Sequence, residues 1–192
     1  MPRAGLNPEV VTAAAAELLD EVGPDGMTMG MLAERLGVKT PSLYKHVESI
    51  ADLVHRIAIQ AALEVADSVR DATQGKAGSE ALAAMAQAMR VYFTQHPGRA
   101  AAANSALPAG PDDPILEARA RVLESYAAVL SGYGLDPDQE VHAVRMLRSA
   151  LQGFTELEAT DGFQFDTSID QSFQWMIDLI DAGLRTAATS KT

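Results

Sequence analysis

The eight residues Lys39–His46 include six whose side chains can bond a nucleic acid: Lys39, Thr40, Ser42, Tyr44, Lys45 and His46, with Pro41 and Leu43 between them. Ammonium groups, hydroxyls and a phenol are the donors that phosphate oxygens and base edges accept. A Ser or Thr hydroxyl serves either, and the Pro41 ring or a Thr methyl can meet a thymine methyl. The bland reading is a solvated helix whose Thr and Pro do nothing but start it, since such residues open many helices.

The rest of the chain makes this run conspicuous. Its 192 residues carry a formal net charge of −11, and global acidity repels nucleic acid, so binding has to be local and oriented. Between Arg35 and Arg56 the balance reverses: Arg35, Lys39, Lys45 and Arg56 face only Glu48 and Asp52. There are no cysteines, which excludes a disulfide framework, a thiolate metal site and a Cys nucleophile. The four histidines, 46, 55, 96 and 142, show no metal-binding spacing, and neither a Gly-rich phosphate loop nor a G-x-S-x-G elbow occurs. An enzyme is therefore disfavoured, and neither cofactor nor metal is expected. No apolar run approaches the roughly 18 residues of a membrane span, and the first residues lack a charged-then-apolar signal pattern. A cytoplasmic protein without membrane contact is the expectation.

Several helices have to position the run. No stretch alternates at period two, whereas Pro and Gly cluster between long helix-periodic segments, so an all-α fold is predicted. Asn7, Pro8 and Glu9 open a first helix to about Val22, with Val11, Ala14, Ala15, Leu18, Leu19 and Val22 in one stripe. Thr28 caps a short second helix through Leu36, and Gly37 suits the left-handed residue after it. Thr40-Pro41 starts a third helix of about two turns, burying Leu43 and Val47. Two short helices joined across a Gly turn make a helix-turn-helix unit. A fourth helix runs from about Ile50 towards Asp71, and "TQGKAGS" at 73–79 is the best hinge. Leu82, Met85, Met89 and Phe93 follow, stopped by His96-Pro97-Gly98. After the irregular "ALPAGPDDP", Leu116, Ala120, Leu123, Ala127 and Leu130 mark another helix. The last two span about 138–159 and 168–187.

Residues 28–53, "TMGMLAERLGVKTPSLYKHVESIADL", resemble the DNA-binding unit of the tetracycline-repressor (TetR) family at Thr28, Ala33, Gly37, Val38, Pro41, Leu43, Tyr44, His46, Val47 and Leu53. The resemblance implies an N-terminal three-helix DNA-binding domain (1–50), a larger helical ligand-binding and dimerisation domain (51–192), and a homodimer on a palindromic operator. DNA contacts are then expected from Thr28, Lys39, Thr40, Pro41, Ser42, Tyr44, Lys45 and His46. Tyr44, Lys45 and Thr28 suit phosphate, and Thr40, Pro41 and Ser42 suit bases. One family Lys, which touches phosphate at the start of the fourth helix, is replaced by Ile50. Weaker binding is expected, with backbone N–H groups at that helix start still open to phosphate. Residues 148–184 resemble a C-terminal domain of the same family, with Gln152 where His is common.

The last two helices are apolar around most of their circumference, so one side is expected to pack on the subunit and the other on a partner. Val144, Leu147, Leu151, Phe173, Ile177, Ile180 and Leu184 are the candidate dimer residues. Met85, Met89, Phe93, Tyr126, Met146, Phe154 and Trp175, with His142 as a polar member, are the candidate lining of an effector site. Each of these is individually more often plain core, but together they suit a small apolar or aromatic ligand. The mechanism expected is allosteric repression: the effector changes the separation of two reading helices that must sit about 34–36 Å apart. The competing expectation is a helical dimeric interaction or ligand-binding module that has lost specific DNA binding.

Overall fold

The computed structural model describes residues 6–189, and all regular structure among them is helical: α1 (Pro8–Val22), α2 (Met29–Leu36), α3 (Thr40–Leu43), α4 (Ile50–Thr73), α5 (Gly78–Gln95), α6 (Pro97–Ser105), α7 (Pro114–Leu130), a 3-10 turn (Ser131–Tyr133), α8 (Pro137–Ala159) and α9 (Ile169–Thr189). The domain ranges 1–50 and 51–192 also take in residues 1–5 and 190–192, which lie outside the described residues. By compactness the chain forms two units. One holds the described residues up to Ala62 together with His96–Ala118, and the other holds Leu63–Gln95 and the described residues from Arg119 onwards.

The first unit is built from locally specified ends. Asn7 accepts the Val10 N–H at 2.8 Å, and Pro8 occupies the opening turn of α1. Thr28 accepts the Met31 N–H at 3.2 Å to start α2. α2 ends where Gly37 turns left-handed (φ 65°) and Val38 and Gly37 bond back to the carbonyls of Ala33 and Glu34, both at 3.0 Å. Val11, Ala15, Leu18 and Leu19 of α1 meet Leu32, Ala33, Leu43, Val47, Leu53 and Ile57 in one core, all nearly fully buried. Ala102 of α6 and Ile115 of α7 complete that core.

α6 was not predicted: His96-Pro97-Gly98 reads as a stop, yet Pro97 is the first residue of a new helix. No side chain of its own caps it. Its cap is Asp20 of α1, which accepts the Arg99 N–H at 2.9 Å and faces His96 Nδ1 at 3.2 Å. α7 also differs from its expected stripe, since Leu116, Ala120 and Leu123 are exposed while Ile115, Ala118, Tyr126, Val129 and Leu130 are buried. A shift of one residue rotates a helix face by about 100°, and apolar residues on both faces left the choice to packing.

In the second unit α5 packs on α8 and α9. Asp181 of α9 accepts the hydroxyls of Ser79 and Tyr133, each at 2.6 Å, and the Arg185 Nε–H at 2.9 Å. This joins the start of α5, the 3-10 turn and α9. Burial, followed by the bond to Asp181, pushes the Tyr133 phenol above its ordinary pKa.

Candidate nucleic-acid interface

The expected reading helix is shorter than two turns. α3 has four residues, Thr40–Leu43, and begins at the predicted cap itself: Lys39 is the extended residue that precedes it, and Thr40 stands inside its first turn. Beyond Leu43 the backbone closes tightly, with the N–H groups of His46 and Val47 both on the Leu43 carbonyl, at 2.8 and 3.1 Å. Residues 44–46 are a turn rather than helix.

This short element nevertheless sorts its side chains as groove reading requires. Leu43 and Val47 are buried against α2 and α4, whereas Tyr44 is 55% exposed and Lys39, Pro41 and Lys45 stand outside. Thr40, Ser42 and His46 are half-buried between those two sets. Thr28 is exposed and its oxygen is already an acceptor for Met31, which leaves its O–H proton to give.

Among the described residues, the positive excess of the region resolves into two groups without a carboxylate partner. Arg35 bonds Glu21 of α1, with Glu17 at 3.9 Å, and that bond holds the Glu21 carboxyl below its usual pKa. Arg56 bonds Asp52 at 2.9 Å. Lys39 and Lys45 are therefore the cations of the segment left without a carboxylate among the described residues, and both are exposed. The start of α4 is less open to phosphate than expected: the Asp52 N–H is on Ser49 Oγ at 3.0 Å and the Glu48 N–H on the Asp52 carboxylate at 3.1 Å. Ile50 is half-buried against the core.

The residues expected to line an effector site are divided. Met85, Met89, Tyr126 and Phe154 are buried and Phe93 is half-buried, and burial pushes the Tyr126 phenol above its ordinary pKa. His142 and Met146 instead border an apolar groove of about 560 Å³ between α8 and α9, with Leu179, Ile180, Gly183 and Leu184. Trp175, 66% exposed, borders a second depression of about 610 Å³ with Phe154, Thr167, Gln171, Ser172 and Met176.

The residues expected at the dimer interface lie mostly in a seam within one chain. Leu147, Leu151, Phe173, Ile177, Ile180 and Leu184 are buried in a single chain, and Val144 is half-buried, because they form the seam between α8, α9 and α5. The outward apolar residues of these two helices are Val141, Met146, Leu157, Trp175 and Leu179.

Sequence reading missed one charged cluster entirely. Arg90 of α5 is 9% exposed and bonds Glu158 through Nε at 2.9 Å and Nη2 at 2.5 Å, with Asp170 at 2.8 Å. Its guanidinium carbon lies 4.7 Å from the Phe173 ring centroid and 5.8 Å from that of Phe154. The bond to Glu158 raises its pKa further against the pull of burial. The available signal was an arginine set beside the apolar stripe of α5.

The chain is similar to known proteins along nearly its whole length. Residues 11–57 match the family described as "Bacterial regulatory proteins, tetR family", and residues 82–180 match "Tetracyclin repressor-like, C-terminal domain". An uncharacterised HTH-type transcriptional regulator of Mycobacterium tuberculosis is 37% identical over 187 residues, covering 97% of this chain and 85% of the relative. The class D tetracycline repressor protein of Escherichia coli is 46% identical over 57 residues, 30% of this chain and 26% of that protein. A crystal structure of an Acinetobacter baumannii TetR variant with minocycline superposes with a TM-score of 0.69 at 27% identity, over 96% of this chain and 99% of the other.

Proposed function

The chain belongs to the tetracycline-repressor (TetR) family of DNA-binding transcription regulators, and on that premise we propose that it represses by gripping a palindromic operator as a homodimer and releases it when a small effector binds. It is a regulator with a C-terminal ligand-binding domain, not an enzyme. No described helix is long and apolar enough to cross a membrane, and the proposed site of action is the cytoplasm.

One observation carries the reading. A buried Leu43–Val47 pair holds Lys39, Tyr44 and Lys45 outward in a chain whose formal net charge is −11. Lys45, Tyr44 and Thr28 take phosphate, Thr40, Pro41 and Ser42 read base edges, and Lys39 and His46 flank them. A second copy covers the outward face of α8 and α9, where Met146, Trp175 and Leu179 are exposed. The effector is apolar or aromatic, taken up among Met85, Met89, Phe93, Tyr126 and Phe154. The operator-reading part is residues 1–50 and the ligand-binding part 51–192. α4 belongs to both compact units, so a ligand that shifts it changes how the two heads meet successive grooves.

Selection of bound sequences from a random duplex pool, followed by titration of the winner at two salt concentrations, tests the proposal. An enriched palindrome with steep salt dependence supports it. No enrichment from a folded dimer supports the other reading, a helical module without specific DNA binding, which Ile50 and the acidic cap at the start of α4 favour.

A further inference from the structure

The reading segment leaves Leu43 through a turn and then three residues, 47–49, outside any helix, so no continuous helix joins it to α4. Two side chains of α4 hold this exit instead. Arg56 Nη1–H donates to the His46 carbonyl at 3.4 Å. The same guanidinium meets Asp52 through Nε at 3.0 Å and Nη2 at 2.9 Å. The Asp52 carboxylate in turn accepts the Glu48 N–H at 3.1 Å. The His46 carbonyl and the Glu48 amide are thus tied, two residues apart, to one pair of side chains a single turn apart on α4.

We propose that Arg56, held by Asp52, is a positioning residue for sequence selectivity: it sets the angle of the reading segment on α4 and touches no phosphate. The inference rests on the DNA-binding reading above and adds to it a residue outside the groove. Its charge is matched by Asp52, so it releases little counterion on DNA binding. Its planar fork spans a carboxylate and a carbonyl at once, which a lysine ammonium cannot do in that geometry. Base readout depends on donors held to within about 0.5 Å, so a loosened exit costs selectivity before it costs general affinity.

The test uses the full-length dimer with Arg56→Gln, Arg56→Lys and Asp52→Asn, each checked for wild-type helicity and association. Binding is measured to the selected operator and to a random duplex of equal length, across a salt series. The expected result is a fall of about tenfold in operator affinity, the order of one lost base readout, for both Arg56 variants. Random-duplex affinity then stays within about twofold, and the salt slope is unchanged. Asp52→Asn gives the same pattern in milder form, which keeps the idea testable if Arg56→Gln does not fold. Equal weakening on both duplexes, with the log–log salt slope reduced by about 0.9 for each phosphate no longer neutralised, makes Arg56 a phosphate ligand and overturns the proposal. Wild-type behaviour of every variant overturns it as well. If the wild-type protein itself selects no operator, the DNA-binding reading fails and takes the proposal with it, an outcome visible before any variant is measured.

Discussion

Gly98 of α6 lies so close to Leu19 of α1 that a Cβ added to it would stand 1.9 Å from the Leu19 carbonyl oxygen and 2.7 Å from the Asp20 nitrogen. No side chain fits there, because the obstacle is backbone. Leu19 is fully buried, and Asp20 beside it caps α6 through the Arg99 N–H. Gly98→Ala is therefore expected to pry α6 from α1 and to lower stability by about 2 kcal/mol or more, as forced overpacking does. Urea unfolding of this variant beside Gly110→Ala, where a Cβ meets nothing within 4 Å, separates the clash from glycine's own flexibility.

Replacing Arg90 by Met should destabilise the protein by about 3 kcal/mol, because Glu158 is left in a largely buried site without its partner. Adding Glu158→Leu should recover much of the loss. Additive losses in the resulting double-mutant cycle would show that the pair is not coupled.

Asp113 caps α7 with its side chain almost fully covered, accepting the N–H groups of Ala109 at 2.7 Å and Ile115 at 2.9 Å and facing His55 Nε2 at 2.9 Å. The two amides, followed by His55, hold its carboxyl down to about 2. An unfolded Asp titrates near 3.9, so the stabilisation is complete above about pH 4 and drains away as pH falls towards 2. Asp113→Asn should be less stable at pH 7 and show a shallower loss between pH 4 and 2, measured by thermal unfolding across that range.

On the selected operator, Tyr44→Ala and Lys45→Ala should weaken specific and random DNA alike, with Lys45→Ala reducing the salt slope by about 1 per subunit. Thr40→Ala and Ser42→Ala should change the preferred sequence at a cost of about 1–3 kcal/mol per altered base pair, with little effect on random DNA. Equal effects from all four would show that base and phosphate roles are wrongly divided.

Leu179→Arg, on the outward face, should give a folded monomer by analytical ultracentrifugation with little change in helicity. Leu147→Ala, in the seam, should cost about 2–5 kcal/mol of stability while the folded fraction keeps its association state. The reverse result would return the dimer interface to the residues first expected there.

Much of the reading unit was legible because its signals are local. Asn7 bonds Val10, Thr28 bonds Met31, and Gly37 ends α2 within a span of six residues, so adjacent letters carry the whole interaction. The length of α3 was not legible in the same way. The Leu43 carbonyl draws back the N–H groups of both His46 and Val47, and the burial of Leu43 and Val47 holds the turn that results.

Neighbouring residues suffice for an all-helical chain with a helix-turn-helix near its N-terminus, through caps that act over three or four residues and an apolar period of 3.6. Tertiary structure alone decided the rest. α6 takes its cap from Asp20, 79 residues before Arg99, and Arg90 takes its counter-charge from Glu158, 68 residues on. In α8 and α9, apolar side chains lie on several faces, so periodicity cannot rank one above another. Only packing against α5 buries Leu147 and Ile177 and leaves Met146 and Leu179 outside. Local hydrogen bonds are written in neighbouring residues, whereas burial is settled by which distant surface arrives.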